Sequence, residues 1–187
     1  EAAHGEVGLP LARFAQWAWV SFKLAGLAAL LATSIALLLG FSLRLRESVA
    51  LRLSARVVSL GYAVPGAVIA VGILLPVGWL QERFPQLGSA ALVTGTLFGL
   101  MYAYLVRFSA VALQSIEAGY ARVPTSIDET AHLLGASRRR MFLELHAPLL
   151  RRAGLAAMLL VFVDVMKELP ATLVLRPFNS DTLAVVA

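Results

Sequence analysis

Apolar residues run along this chain in long blocks, and the charged residues collect between the blocks. Leu24–Leu43 contains no Asp, Glu, Lys, Arg or His, and neither do Val57–Leu80 and Phe84–Val106. A helix needs about 20 such residues to cross the hydrocarbon core of a bilayer, so each block predicts a membrane-spanning helix. A fourth block, Ala153–Leu175, opens with 11 uncharged residues before Asp164, Lys167, Glu168 and Pro170 interrupt it. The pattern predicts an all-α, polytopic helical bundle of about four spans, with residues 1–187 forming one transmembrane domain. Leu24–Leu43 is too long for a cleavable signal peptide, and no small-residue cleavage site follows it.

Composition narrows the class. Of 187 residues, 59% are hydrophobic and 14% charged, where a soluble domain carries about a quarter charged. A disordered segment, a nucleic-acid-binding domain and an ordinary soluble enzyme are thereby excluded. The absence of cysteine excludes a disulfide scaffold, a thiolate metal site and a cysteine nucleophile. The net charge of +5 suggests nucleic acid only until the charges are located. Arg44, Arg46, Arg52 and Arg56 lie between the first two blocks, against Glu47 alone. Arg83, with Glu82, lies between the second and third. Arg107, Arg122, Arg138, Arg139, Arg140, Arg151 and Arg152 lie between the third and fourth. Cytoplasmic loops collect basic residues, which puts Arg44–Arg56 and Arg107–Arg152 inside and Gln81–Gly88 outside. Trp17, Trp19 and Trp79 then all fall at the outer interface, where indoles prefer to lie. The chain starts at Glu1 and stops at Ala187 in mid-apolar sequence, which reads as a piece of a longer protein.

Two blocks carry irregularities. Pro65 and Gly66 fall in the first half of the second block and Pro76 follows, which predicts kinks in a moving or cavity-lining helix. Gly95 and Gly99 form a small-xxx-small face, most simply a packing device.

The stretch from Val123 to Arg152 is too long for a tight connection and has its own helical pattern. Ser126-Ile-Asp-Glu129 fits a capping box, with Ile127, Ala131 and Leu134 following at helical spacing. Gly135 supplies a left-handed stop. Ser137 can cap a second short helix carrying Met141, Phe142 and Leu145, ended by Pro148. A helix-turn-helix on the cytoplasmic surface, with three arginines near its turn, predicts a soluble partner.

These residues carry a resemblance. Glu129-Thr130-Ala131, three residues, Gly135, nine residues and Leu145-His-Ala-Pro148 resemble the coupling loop of permeases from binding-protein-dependent ABC importers. That loop reads Glu-Ala-Ala, three residues, Gly, nine residues, Ile-x-Leu-Pro. Thr130, Leu145 and Ala147 depart from it mildly. Gly61–Gly72 and the stretch from Phe162 to Asn179 are similar to the ferric-iron permeases; polyamine and oxyanion permeases have a Gly-Glu-Phe-Gly type stretch where this chain has Lys-Glu-Leu-Pro. The resemblance implies the second-half fragment of a multi-pass permease in a bacterial inner membrane. Its implied partners are cytoplasmic ABC ATPase subunits, a periplasmic solute-binding protein and a second permease half, fused or separate. It implies Glu129, Ala131, Gly135 and Pro148 as the ATPase-coupling residues of the 123–152 loop.

Other chemistry is sparse. The chain has no phosphate loop of the Gly-x-x-x-x-Gly-Lys-Ser/Thr type, so an ATPase subunit must power any active transport. His132 and His146 have no second metal ligand at helical spacing and read as surface histidines. No catalytic arrangement, cofactor site or metal site is expected. Asp164, Lys167 and Glu168 are the exception. A charge at membrane depth costs about 2.5–3.5 kcal/mol or more, so three in five residues need pairing or water. Spacing puts them on one helix face. That face, with Pro170, reads as lining a translocation pathway rather than as a local structural ion pair. A polyamine, thiamine, sulfate or phosphonate permease is the alternative solute class, and a non-transporting membrane anchor the alternative function.

Overall fold

The computed structural model describes residues 11–46, 48–94 and 96–175. Its core is three long helices: α1 (Leu11–Leu45), α5 (Leu97–Tyr120) and α9 (Arg151–Met166). Hydrophobicity does not choose between the faces of α1, because it is apolar all round. Size chooses instead. Ala25, Ala28, Ala29, Ala32 and Ala36 are buried at helical spacing, while Leu27, Leu30, Ile35 and Leu38 are exposed. Lipid is as apolar as leucine, so helices in a bilayer associate through small residues that let backbones approach. The alanine stripe of α1 receives α5 and α9. Tyr104, Phe108, Leu113 and Ile116 of α5 and Ala157, Val161 and Val165 of α9 fill the space between. A Cβ on Gly40 would stand 3.0 Å from Ile116 and 3.3 Å from Tyr120, so α1 and α5 are parallel and end together. Phe22 meets Phe162 edge-on at 5.3 Å, which makes α9 antiparallel to both.

Ala15–Leu45 and Leu97–Tyr120 are long and apolar enough to cross a membrane. The other expected spans are broken. Where Val57–Leu80 was to be one helix, α2 (Val49–Leu60) passes through a 3-10 turn at Gly61–Ala63 into α3 (Gly66–Arg83), and the two axes differ by 117°. Pro65 forces Val64 into extended backbone (φ −86°, ψ 128°), which ends a helix rather than kinking it. Phe84–Val106 is likewise divided. A 3-10 turn at Pro85–Leu87 closes on left-handed Gly88, and α4 (Ser89–Thr94) stops before Thr96 caps α5. A Cβ on Gly99 would fall 2.4 Å from the Val93 carbonyl, so this glycine permits the close approach of α5 to the end of α4. Its expected companion Gly95 lies outside the described residues, as do Glu47 and the end of the iron-permease stretch, including Asn179. In the fourth block α9 stops at Met166, and Pro170 opens α10 (Pro170–Leu175).

One loop boundary needs correction. Arg107 is not a loop residue: α5 runs on to Tyr120, and Arg107 is near its middle. The third loop begins at Ala121 and keeps Arg122, Arg138, Arg139 and Arg140, with Arg151 and Arg152 in the first turn of α9 at its end, so the charge asymmetry survives. Arg44 donates to the Val123 carbonyl, which brings the first and third loops to the same end of the bundle. Single cysteines at Ser48, Gln86 and Ser137 are expected to divide accordingly in sealed cells. An impermeant thiol reagent should label only Gln86→Cys, and labelling at Ser48 or Ser137 would reverse the orientation. Gln86 is the better outer reporter because neighbouring Ser89 is buried.

Candidate functional site

The hairpin between α5 and α9 is built from local chemistry. α6 (Ser126–Leu133) starts one residue earlier than a capping box requires. Thr125 is its N-cap with no side-chain bond, so the expected Ser126–Glu129 exchange does not form. Its C-terminus is as predicted. Gly135 has φ 74°, with its N–H bonded to His132 O at 2.9 Å and that of Ala136 to Ala131 O at 3.0 Å. This paired-bond stop requires a left-handed residue. Ser137 Oγ then accepts from Arg140 N at 3.3 Å, capping α7 (Arg138–Arg140), also as predicted. Pro148 does not end this arm. A π turn over Met141–His146 leads into α8 (Ala147–Leu149), which contains Pro148. The wider π turn shifts the preceding carbonyls out of the register in which the proline ring would collide with them. Leu133 (88%) and Leu134 (81%) protrude at the tip. Glu129, Gly135 and Pro148 are exposed and Ala131 is half-buried.

The opposite face of the hairpin is fixed to the bundle by charge. Arg44 at the end of α1 donates through Nε to Asp128 Oδ2 at 2.6 Å and through Nη2 to Val123 O at 2.8 Å. Its guanidinium sits 5.6 Å from the centre of the Tyr120 ring. His146 is completely buried, packed against Phe41 and Tyr120 at 5.0 and 5.6 Å. Its Nε2 lies 3.1 Å from Asp128 Oδ1, out of line for a hydrogen bond. The surface reading of His146 is therefore wrong, while His132 is exposed as expected.

Burial holds the His146 imidazole below its ordinary pKa of 6.5, against the pull of Asp128 and with the push of Arg44. An unfolded chain takes up this proton first. The stability that neutral His146 contributes is thus complete above about pH 6.5 and lost as pH falls through the lower folded value. Thermal stability of the purified protein should drop more steeply between about pH 7 and pH 5 in the wild type than in His146→Phe. Equal slopes would remove His146 from the account.

A second polar cluster lies deep in the bundle. Arg107 is the eleventh of 24 residues in α5, about 15 Å from its start at 1.5 Å per residue. Glu168, 6% exposed, places Oε2 3.4 Å from Arg107 Nε. Arg107 Nη1 donates to Val64 O at 3.0 Å, one of the carbonyls freed where α2 and α3 separate. Glu168 Oε1 accepts from Ala171 N at 3.3 Å, at the start of α10. Thr172 meets Tyr104 at 2.6 Å. Two helix breaks therefore meet on one ion pair. Gly66 makes room for it, since a Cβ there would fall 2.1 Å from Glu168 Oε1.

Asp164, Lys167 and Glu168 do not share a face as predicted. α9 ends at Met166, so helical spacing does not reach Glu168. Asp164 and Lys167 pair at 3.2 Å with the lysine side chain 67% exposed, while Glu168 turns inward to Arg107. Pro170 is exposed at the head of α10. Three residues of these clusters, Arg44, Asp128 and Arg107, escape the sequence reading. Arg44 and Arg107 looked like loop charges. The apolar run on both sides of Arg107 was the available signal that it is intramembrane. Among the described residues, no three His, Cys, Asp or Glu side chains gather as a metal-holding group.

Comparison with known proteins places the chain in a family. Residues 20–179 match the family described as binding-protein-dependent transport system inner membrane component. The chain is 30% identical over 167 residues to the Fe(3+)-transport system permease protein FbpB 2 of Haemophilus influenzae, covering 88% of this chain and 31% of that protein. It is also 30% identical over 123 residues to the putative 2-aminoethylphosphonate transport system permease protein PhnV of Salmonella typhimurium, covering 66% of this chain and 43% of that protein. The chain thus spans less than half the length of these relatives.

Proposed function

The chain belongs to the family of binding-protein-dependent transport system inner membrane components, and from that premise we propose that it forms part of the translocation pathway of an ABC importer for ferric iron. Permeases of this family are not enzymes and carry no ATP-binding motif; hydrolysis would belong to separate cytoplasmic ATPase subunits. The observation that carries the reading is the hairpin of α6 to α8. Leu133, Leu134 and Glu129 face outward, on a tip stiffened by the Gly135 stop and anchored through Arg44 to the bundle. A lipid-facing or solvated loop has no use for such an anchored apolar tip. A cleft on a soluble partner does.

In this reading α3 and the α9–α10 pair add two crossings to the two long helices, giving four. The broken segments around Arg107 and Glu168 border the pathway, with Asp164, Lys167 and Pro170 toward the end of α9 and start of α10. A periplasmic binding protein delivers the solute on the outer side, and a second permease half, fused or separate, completes the channel. Ferric iron is favoured because a relative matched over 88% of this chain is named as an Fe(3+)-transport system permease protein. A phosphonate is the second reading, supported by the likeness to PhnV. Membrane vesicles holding the complete transporter, its ATPase and its binding protein decide between them. ATP-dependent uptake of ferric iron is expected; uptake of 2-aminoethylphosphonate alone would transfer the assignment. ATPase recruitment with no uptake of any solute would leave a membrane anchor.

A further inference from the structure

We propose that Arg44 is a positioning residue for transport: it fastens the cytoplasmic hairpin to α1, so that displacement of the hairpin moves α1 together with α5 and α9. The inference rests on the reading of the hairpin as the ATPase-docking element.

By chain connection alone the hairpin is tied only to α5 and α9. It enters through residues 121–125 and leaves through Leu150, where the helix breaks (φ −89°, ψ 3°). A loop held only at those points could pivot without moving α1. Arg44 prevents this by gripping two places at once. Nε holds Asp128 on the first turn of α6 at 2.6 Å, and Nη2 holds Val123 O in the entry segment at 2.8 Å. A planar guanidinium making two directed bonds fixes rotation as well as distance, which a lysine could not do. The pair is mostly shielded, with side-chain exposures of 15% and 13%, so water competes for it less than at an open surface. The second arm also meets α1, through Phe41 against Phe142 at 5.1 Å and against His146 at 5.0 Å. Those ring contacts can slide. The forked bond to Asp128 and Val123 sets the register.

Arg44→Gln, Asp128→Asn, Arg44→Lys and the exchange Arg44→Asp with Asp128→Arg test this in the complete transporter. Ferric iron imported per ATP hydrolysed is measured in vesicles, with folded protein and co-purified ATPase measured in parallel. Arg44→Gln and Asp128→Asn should each lower the ratio about fivefold while ATPase binding and hydrolysis continue. Arg44→Lys should fall between them and wild type, and the exchange should recover part of the loss. Wild-type ratios in the two neutral variants would overturn the proposal. So would a loss of folded protein at an unchanged ratio, which marks a purely structural pair. A wild-type complex that neither binds the ATPase nor imports would instead defeat the transport reading, and the clamp with it.

Discussion

Glu168→Leu should remove most of the folded protein from the membrane, and adding Arg107→Leu should return much of it. Arg107 sits at the middle of a spanning helix and Glu168 is the carboxylate beside its guanidinium. Removing one partner of a buried pair is destabilising by about 3–5 kcal/mol, because the other charge is left uncompensated, whereas replacing both with apolar groups is often close to neutral. A typical fold has only about 5–15 kcal/mol in total, so the single variants approach its limit. The amount of monodisperse protein extracted from membranes gives the comparison. A double variant as depleted as the singles would mean that the bonds to Val64 O and Ala171 N, rather than charge balance, hold this region together.

Glu168→Gln separates structure from transport at the same position. The amide keeps the shape and an acceptor for Ala171 N but leaves Arg107 without its counter-charge. If Glu168 borders the pathway, uptake per folded transporter falls while ATPase binding persists. If the pair is only structural, folded protein falls and uptake per folded transporter holds. Normal uptake with normal folding would remove both roles.

What the sequence disclosed depended on the range of the interaction. Helix identity, the loop asymmetry, the Gly135 stop and the Ser137 cap are local and were read from neighbouring residues. Span boundaries are not local, because a charge can end a span or lie buried within one. Arg107 interrupts an uncharged run that continues from Phe108 to Ile116, and its partner stands 61 residues away at Glu168. The same reason hid Arg44, whose partner Asp128 is 84 residues distant. Asp128 also competed with a local pattern. Ser126 and Glu129 have capping-box spacing, but Arg44 draws Asp128 inward and the helix begins at Ser126, so tertiary pairing decides where the cap falls. Pro148 lies inside a helix for a related reason, since the π turn that accommodates it has no signature in residue spacing.

Gly135→Val should uncouple ATP hydrolysis from uptake while the spans still insert. At φ 74° an L-residue places its Cβ against the following carbonyl at a cost of roughly 1–2 kcal/mol, and β-branching adds to it. Space is not the difficulty, because nothing lies within 4 Å of a Cβ built there. The strain is relieved by abandoning the left-handed turn, which breaks the bonds from Gly135 N and Ala136 N to His132 O and Ala131 O. α6 then loses its stop, and Leu133 and Leu134 no longer project from a fixed tip. The change lies at the exposed tip, where a Cβ meets nothing within 4 Å, and not among the bundle contacts of Asp128 and His146, so folding of the spans should continue. Glu129→Ala, which removes only an exposed carboxylate from the first turn of α6, should weaken ATPase co-purification more moderately, as expected of a charge at a helix start. Uptake, ATP hydrolysis and ATPase co-purification measured on Gly135→Val and Glu129→Ala beside wild type check both. Full transport by Gly135→Val would show that the hairpin is not the element through which ATP hydrolysis acts.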